Sequence, residues 1–185
     1  MTIIDEWAEV KAPPPPELKT VTVDPKETAY LVLDIQYQNC DAQKRPRCEV
    51  SVPKITDFLE KARKKKMTVA YSLTTKGEAE DIREEVAPLP GEPVVRSSAD
   101  KFYNTDLEKI LKDKGIKCVI VVGTAAHGAV LHTVTGAAQR GFQVVVPVDG
   151  MSADLYAEQY TAWHLVNGPG SRKQTTLTKF DMIQF

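Results

Sequence analysis

A chain of 185 residues, 42% hydrophobic and 26% charged, can bury a full core and fits one domain rather than several. Lys and Arg number 24 against 25 Asp and Glu, and the net charge of −1 gives no electrostatic reason for a nucleic-acid or anionic-membrane partner. No apolar run approaches the roughly 20 residues that span a bilayer, and the acidic opening Met1–Trp7 has no signal-peptide core, so a soluble, cytoplasmic protein is expected. Cys40, Cys48 and Cys118 are an odd number at no zinc-like spacing, and reduced thiols are expected in that compartment. No cofactor and no metal is predicted.

Residues 1–27 read as an arm. Pro13–Pro16 are four consecutive prolines, which favour polyproline II over helix. Such an arm packs along a surface or a neighbouring subunit, and a homo-oligomer, dimer or larger, is expected. Residues 28–185 read as one domain, in which apolar strand runs alternate with helical spacing. Ala29–Ile35 is a nearly continuous apolar run, as a strand buried on both faces should be. Val52–Lys66 places Ile55, Phe58, Leu59 and Ala62 on one helical face and ends in the basic run Arg63–Lys66, which suits the helix dipole. Met67–Leu73 is a second strand. Residues 74–92 are polar, proline-containing loop with at most one helical turn, and Pro93–Val95 is a short strand. Thr105–Glu108 opens a helix with a capping box. Cys118–Val122 is the clearest buried strand, Ala126–Arg140 a small-residue helix ending at Gly141, and Gln143–Val148 another strand. Asp154–Val166 is helical, and Thr175–Lys179 a last strand. Alternating strands and helices imply right-handed crossovers and a three-layer α/β/α fold around a parallel sheet.

In open sheets of this kind ligands bind beyond the carboxyl ends of the strands. That rule selects Asp34–Gln36, the segment near Arg96, and Gly123–Ala129. A carboxylate at the end of an apolar strand is poorly solvated, which favours its protonated form and suits acid/base work, though Asp34 would equally serve as a loop cap. Gly123–Ala129 joins strand to helix with two glycines and three alanines. Its free N–H groups would suit an oxyanion or carboxylate, but a tight turn that only packs well has the same composition. The spacing matches neither the dinucleotide-binding glycine pattern nor a P-loop.

The order of these segments resembles the isochorismatase-like, or cysteine hydrolase, superfamily. Leu31–Gln36 is similar to the strand ending in that family's catalytic Asp and the Gln two residues on. Val121–Val130, with Thr133 and Ala137, is similar to its nucleophile turn; Gly141–Asp149 with Ser152 and Ala153 to the strand that follows; and Asp100–Leu107 to the segment after its catalytic Lys. The resemblance runs over about residues 28–180. It implies Asp34 as acid/base, backbone N–H groups of Ala125 and Ala129 as an oxyanion hole, and a cis peptide between Thr124 and Ala125.

Two departures follow from the same alignment. The nucleophile position falls on Ala129, which has no group able to form a thioester. The catalytic Lys position falls on Arg96 by spacing, with Lys101 as second choice because it adjoins Phe102. Arg holds a negative charge but does not shuttle protons, because it stays ionised. True isochorismatases resemble the chain in Ala126 and His127 and work without a cysteine: vinyl ether hydrolysis needs an acid and a water, not a covalent intermediate. The resemblance thus implies a hydrolase of a small molecule acting by cysteine-free acid/base catalysis. Asp34, Arg96, Lys101 and Ala129 are then the catalytic set, and Gln36, Ala125 and His127 the substrate contacts. Two alternatives stay open: a non-catalytic relative that binds a small molecule or partner subunit, and a C–N hydrolase whose cysteine has been replaced by alanine. Cys40, six residues after Asp34, would be a displaced nucleophile if it lay at the same cleft, or would pair with Cys48 under oxidation. No His lies near Asp34 to form the Asp-x-His metal site of nicotinamidases.

Overall fold

A computed structural model describes all 185 residues. In chain order the strands are β1 (Val21–Thr22), β2 (Thr28–Leu33), β3 (Thr68–Leu73), β4 (Val94–Arg96), β5 (Cys118–Thr124), β6 (Gln143–Pro147), β7 (Met151–Ser152), β8 (Thr175–Thr178) and β9 (Ile183–Gln184). The helices are α1 (Pro46–Lys64), α2 (Leu107–Asp113), α3 (Leu131–Gln139) and α4 (Leu155–Asn167), and one π-helical turn (Ala126–Val130) leads into α3. The main sheet runs β4-β3-β2-β5-β6-β8, with β7 pairing the end of β5, and every pairing in it is parallel. β1 and β9 form a separate parallel pair that ties residues 21–22 to the chain's last strand.

Side-chain alternation along the central strands builds two cores. Ala29, Leu31, Leu33, Val119 and Val121 face α2, α3 and α4, packing on Leu111, Val134 and Leu165. Tyr30, Val32, Ile120 and Val122 face α1, packing on Ile55, Phe58 and Leu59. The sheet is therefore covered on both faces, the three-layer architecture expected of near-continuous apolar strands.

Three local readings are corrected. Helix α1 begins at Pro46, six residues before the expected Val52; Pro46 occupies the first turn, where no N–H is needed, and Pro53 sits exposed inside the helix without ending it. Helix α2 has no capping box: Thr105 Oγ bonds to the Lys101 carbonyl at 2.6 Å, and Glu108 turns to Lys112 and Arg140. Residues 126–139 are not one α-helix, because the first turn is π-helical.

Candidate active site

From β2 the chain moves through β3 to β4 on one side, then crosses to β5, β6 and β8 on the other. The crevice at this switch point lies beyond the carboxyl ends of β2 and β5, where an open α/β sheet takes its ligand. Asp34 stands one residue past β2 with φ 54°, a left-handed conformation that costs a non-glycine residue about 1 kcal/mol and persists only when its surroundings hold it. Its N–H donates to the Ser72 carbonyl at 3.2 Å. Its carboxylate accepts the Ser72 hydroxyl at 2.6 Å on Oδ1 and the Lys101 ammonium at 2.8 Å on Oδ2.

Lys101 is fully buried and Asp34 is 5% exposed. Carbonyl oxygens of Leu73 (3.3 Å), Ser97 (3.1 Å) and Ser98 (2.6 Å) complete the ring around the ammonium. The loop after β4 is built for this: the Ser97 hydroxyl bonds to the carbonyls of Asp100 and Tyr103, and the Lys101 N–H donates to Thr133 Oγ on α3 at 3.1 Å. Burial pushes the Asp34 carboxyl above the usual Asp range; the charge and hydrogen bond of Lys101, the Ser72 hydroxyl and the charge of Arg45 pull the other way, and burial wins.

The other wall is the end of β5. Gly123 has φ 132°, and a Cβ there would lie 2.8 Å from the Leu33 carbonyl carbon, so only glycine lets β5 run this close to the end of β2. The Thr124–Ala125 peptide is cis, as the resemblance implied. Thr124 Oγ donates to the Ser152 carbonyl at 3.0 Å and accepts a hydrogen bond from Arg45 Nη1 at 2.9 Å. The Ala125 N–H finds no acceptor in the protein. Ala129 is buried on the π-helical turn, one turn before Thr133.

The structure does not bring every expected residue to Asp34. Arg96 ends β4, with β3 between it and β2; strand alternation turns it outward, and it pairs with Glu78 at 2.7 Å on the surface. The loop after β4 folds back and brings Lys101, not Arg96, to Asp34. Gln36 is 1% exposed and faces inward: its Oε1 accepts the Thr74 N–H at 2.9 Å, and Gly77 packs against its amide, where a Cβ would come 2.9 Å from Cδ. His127 is exposed and lines a separate groove of about 790 Å³ between α3 and α4, together with His132, Tyr156, Tyr160 and His164. That groove includes neither Asp34 nor Lys101.

Sequence reasoning missed Ser72, Arg45 and Thr124. Ser72 had a signal, a lone hydroxyl near the end of an apolar strand, but its pairing opposite Leu33 belongs to the sheet register. Cys40 and Cys48 are not reduced thiols. They form a buried disulfide with Cα atoms 5.2 Å apart, a separation that suits the bridge, so Cys40 carries no free thiolate and is no displaced nucleophile. Burial raises the remaining thiol, Cys118, to about 11. No group of three or more His, Cys, Asp or Glu is arranged to hold a metal, and no helix is long and apolar enough to cross a membrane.

Known proteins place these features. The chain is 30% identical over 142 residues to the secreted isochorismatase effector Isc1 of Verticillium dahliae, covering 70% of this chain and 75% of that protein. It is 39% identical over 67 residues to an N-carbamoylsarcosine amidase of Arthrobacter, which covers 36% of this chain and a quarter of that enzyme. Among solved structures, an isochorismatase-like hydrolase from Alkaliphilus metalliredigens superposes with TM-score 0.75 at 20% identity, covering 84% of this chain and 94% of that one. The N-carbamoylsarcosine amidase of Thermoplasma acidophilum superposes with TM-score 0.71 at 20% identity, covering 84% and 97%. The isochorismatase domain model matches residues 28–176, and the chain belongs to the isochorismatase family of hydrolases.

Proposed function

We propose that this chain hydrolyses a small molecule by acid/base catalysis at Asp34, without a covalent cysteine intermediate. The observation that carries the reading is the buried Asp34–Lys101 pair at the switch point of the sheet, with the carboxyl pushed upward by burial. A protonated Asp34 delivers its proton to the substrate, and the carboxylate left behind is balanced by the ammonium beside it. Water then adds to the oxocarbenium ion so formed and returns a proton to Asp34, and the resulting hemiketal breaks its C–O bond to release a ketone and an alcohol, which closes the cycle. Enol ether hydrolysis fits this sequence, since protonation at carbon precedes attack by water. The unpaired Ala125 N–H, two residues beyond Gly123 where β5 meets Leu33, is a donor for a substrate oxygen. Ala129 has no nucleophilic atom, and the Cys40–Cys48 disulfide removes the nearest thiol in sequence. Both features argue against a thioester.

The test is a turnover screen with isochorismate, nicotinamide and N-carbamoylsarcosine, with Asp34→Asn assayed alongside. Isochorismate turnover that falls at least 100-fold in the variant is expected, the usual loss with a general acid. Turnover that survives Asp34→Asn, or silence across the panel, overturns the proposal.

A further inference from the structure

Arg45 is the one guanidinium near the crevice without a carboxylate partner. Arg47 holds Glu158, Arg63 holds Glu92, Arg83 holds Glu85, Arg96 holds Glu78 and Arg140 holds Glu108, while Arg172 lies exposed on the far loop after α4. Arg45 is half-buried, and its one side-chain hydrogen bond goes to a neutral group, the Thr124 hydroxyl at 2.9 Å. A guanidinium has five N–H donors, so four remain for a ligand. The position is electropositive for a second reason: Arg45 is the N-cap of the 19-residue helix α1, and the positive end of that helix dipole lies beside it. A partly desolvated cation beside the cis peptide, close enough for its charge to act on Asp34, is costly unless an anion arrives to use it.

We propose that Arg45 is the anion anchor of this crevice and binds a carboxylate of the substrate. This rests on the hydrolase reading above and narrows it to substrates that carry a carboxylate. Planar guanidinium and carboxylate pair through two parallel hydrogen bonds, which fixes orientation as well as adding affinity. The loop that carries Arg45 is braced to hold it. The disulfide joins Cys40 to Cys48 on either side of it, its N–H donates to the Asp41 carbonyl at 2.9 Å, the Asp41 side chain takes the N–H groups of Gln43 (2.8 Å) and Lys44 (2.9 Å), and Arg83 Nη1 donates to the Cys40 carbonyl at 2.8 Å. An anchor fixed before binding loses little conformational freedom when the ligand docks.

Benzoate and its neutral isostere benzamide separate charge recognition from shape. Dissociation constants for both are measured by ligand-observed NMR on the wild-type protein, Arg45→Gln and Arg45→Lys. The wild type is expected to prefer benzoate at least tenfold. Arg45→Gln brings that ratio to near one with benzamide binding unchanged, and Arg45→Lys, which keeps the charge but loses the fork, recovers part of it. A crevice merely collapsed by the substitution would lose both ligands together, and that result overturns the assignment. So does a wild type that binds benzoate no better than benzamide, or binds neither. Benzoate preference in a protein that is silent in the turnover screen removes the hydrolase reading alone. Turnover without benzoate preference removes the anchor alone.

Discussion

The Thr133 hydroxyl accepts the Lys101 backbone N–H at 3.1 Å, so helix α3 fixes where the buried ammonium meets Asp34. Lys101 reaches the carboxyl because two separate segments, the loop after β4 and the helix after β5, are bonded to each other at this point. The site is thus assembled across the switch point and not on one strand.

Lys101→Met tests that assembly. The Lys101 charge and hydrogen bond draw the Asp34 pKa down against burial, so their removal lets it climb further above 3.8. A general acid works while protonated, and its activity falls as pH rises through its pKa. In Lys101→Met that fall is expected at higher pH than in the wild type, read from kcat/KM profiles. The stability sign follows from the same raised value. A carboxyl whose folded pKa lies above its unfolded one stabilises the fold fully below the unfolded pKa and loses that contribution as pH rises through the folded pKa. The variant is therefore expected to lose more stability than the wild type between acid and neutral pH, on the order of 1–3 kcal/mol in urea melts. A pH profile identical to the wild type would uncouple the two residues.

The sheet was legible because its strands are buried on both faces. Runs such as Ala29–Leu33 and Val119–Val122 leave little alternative to a parallel core, and helices covering both sides follow from that. Asp34 was legible for a related reason, as a carboxylate at the end of such a run. Lys101 was legible only as a second choice to Arg96, because its place depends on Ser97, Thr105 and Thr133 folding the 97–105 loop back, which spacing along the chain does not record. Gln36 was expected as a ligand contact because it stands two residues from Asp34; its amide oxygen instead takes the Thr74 N–H and closes the loop there. The cysteines were misread from compartment. Eight residues of separation say nothing of Cα distance until Pro46 starts helix α1 and turns Cys48 back toward Cys40.

Thiol labelling checks the disulfide. The native protein is expected to take no iodoacetamide at pH 8, because Cys40 and Cys48 are joined and burial raises the Cys118 thiol to about 11. Denaturation without reductant exposes one reactive thiol, and denaturation with a dithiol exposes all three, counted by intact mass. Three labels without reductant would show that Cys40 and Cys48 are free.

Arg96→Ala is expected to change little. The Arg96–Glu78 pair is largely exposed, and such pairs contribute between 0 and about 1 kcal/mol. Turnover and benzoate affinity should both stay within twofold of the wild type. A loss of tenfold or more in either would return Arg96 to the site and contradict its outward placement on β4.

Gly123→Ala should be the most damaging single-methyl change near the crevice. The residue lies at φ 132°, outside the range that side chains tolerate, and the added carbon would press on the Leu33 backbone, which is part of a central strand and has no room to move. Backbone strain and a steric clash together are expected to cost on the order of 3 kcal/mol or more. The clash falls at Leu33, one residue before Asp34, so what survives folding should also lose turnover beyond the loss of folded protein. Chemical denaturation gives the first quantity, and activity per folded molecule gives the second. A variant of wild-type stability would mean that β5 does not approach β2 this closely at Leu33.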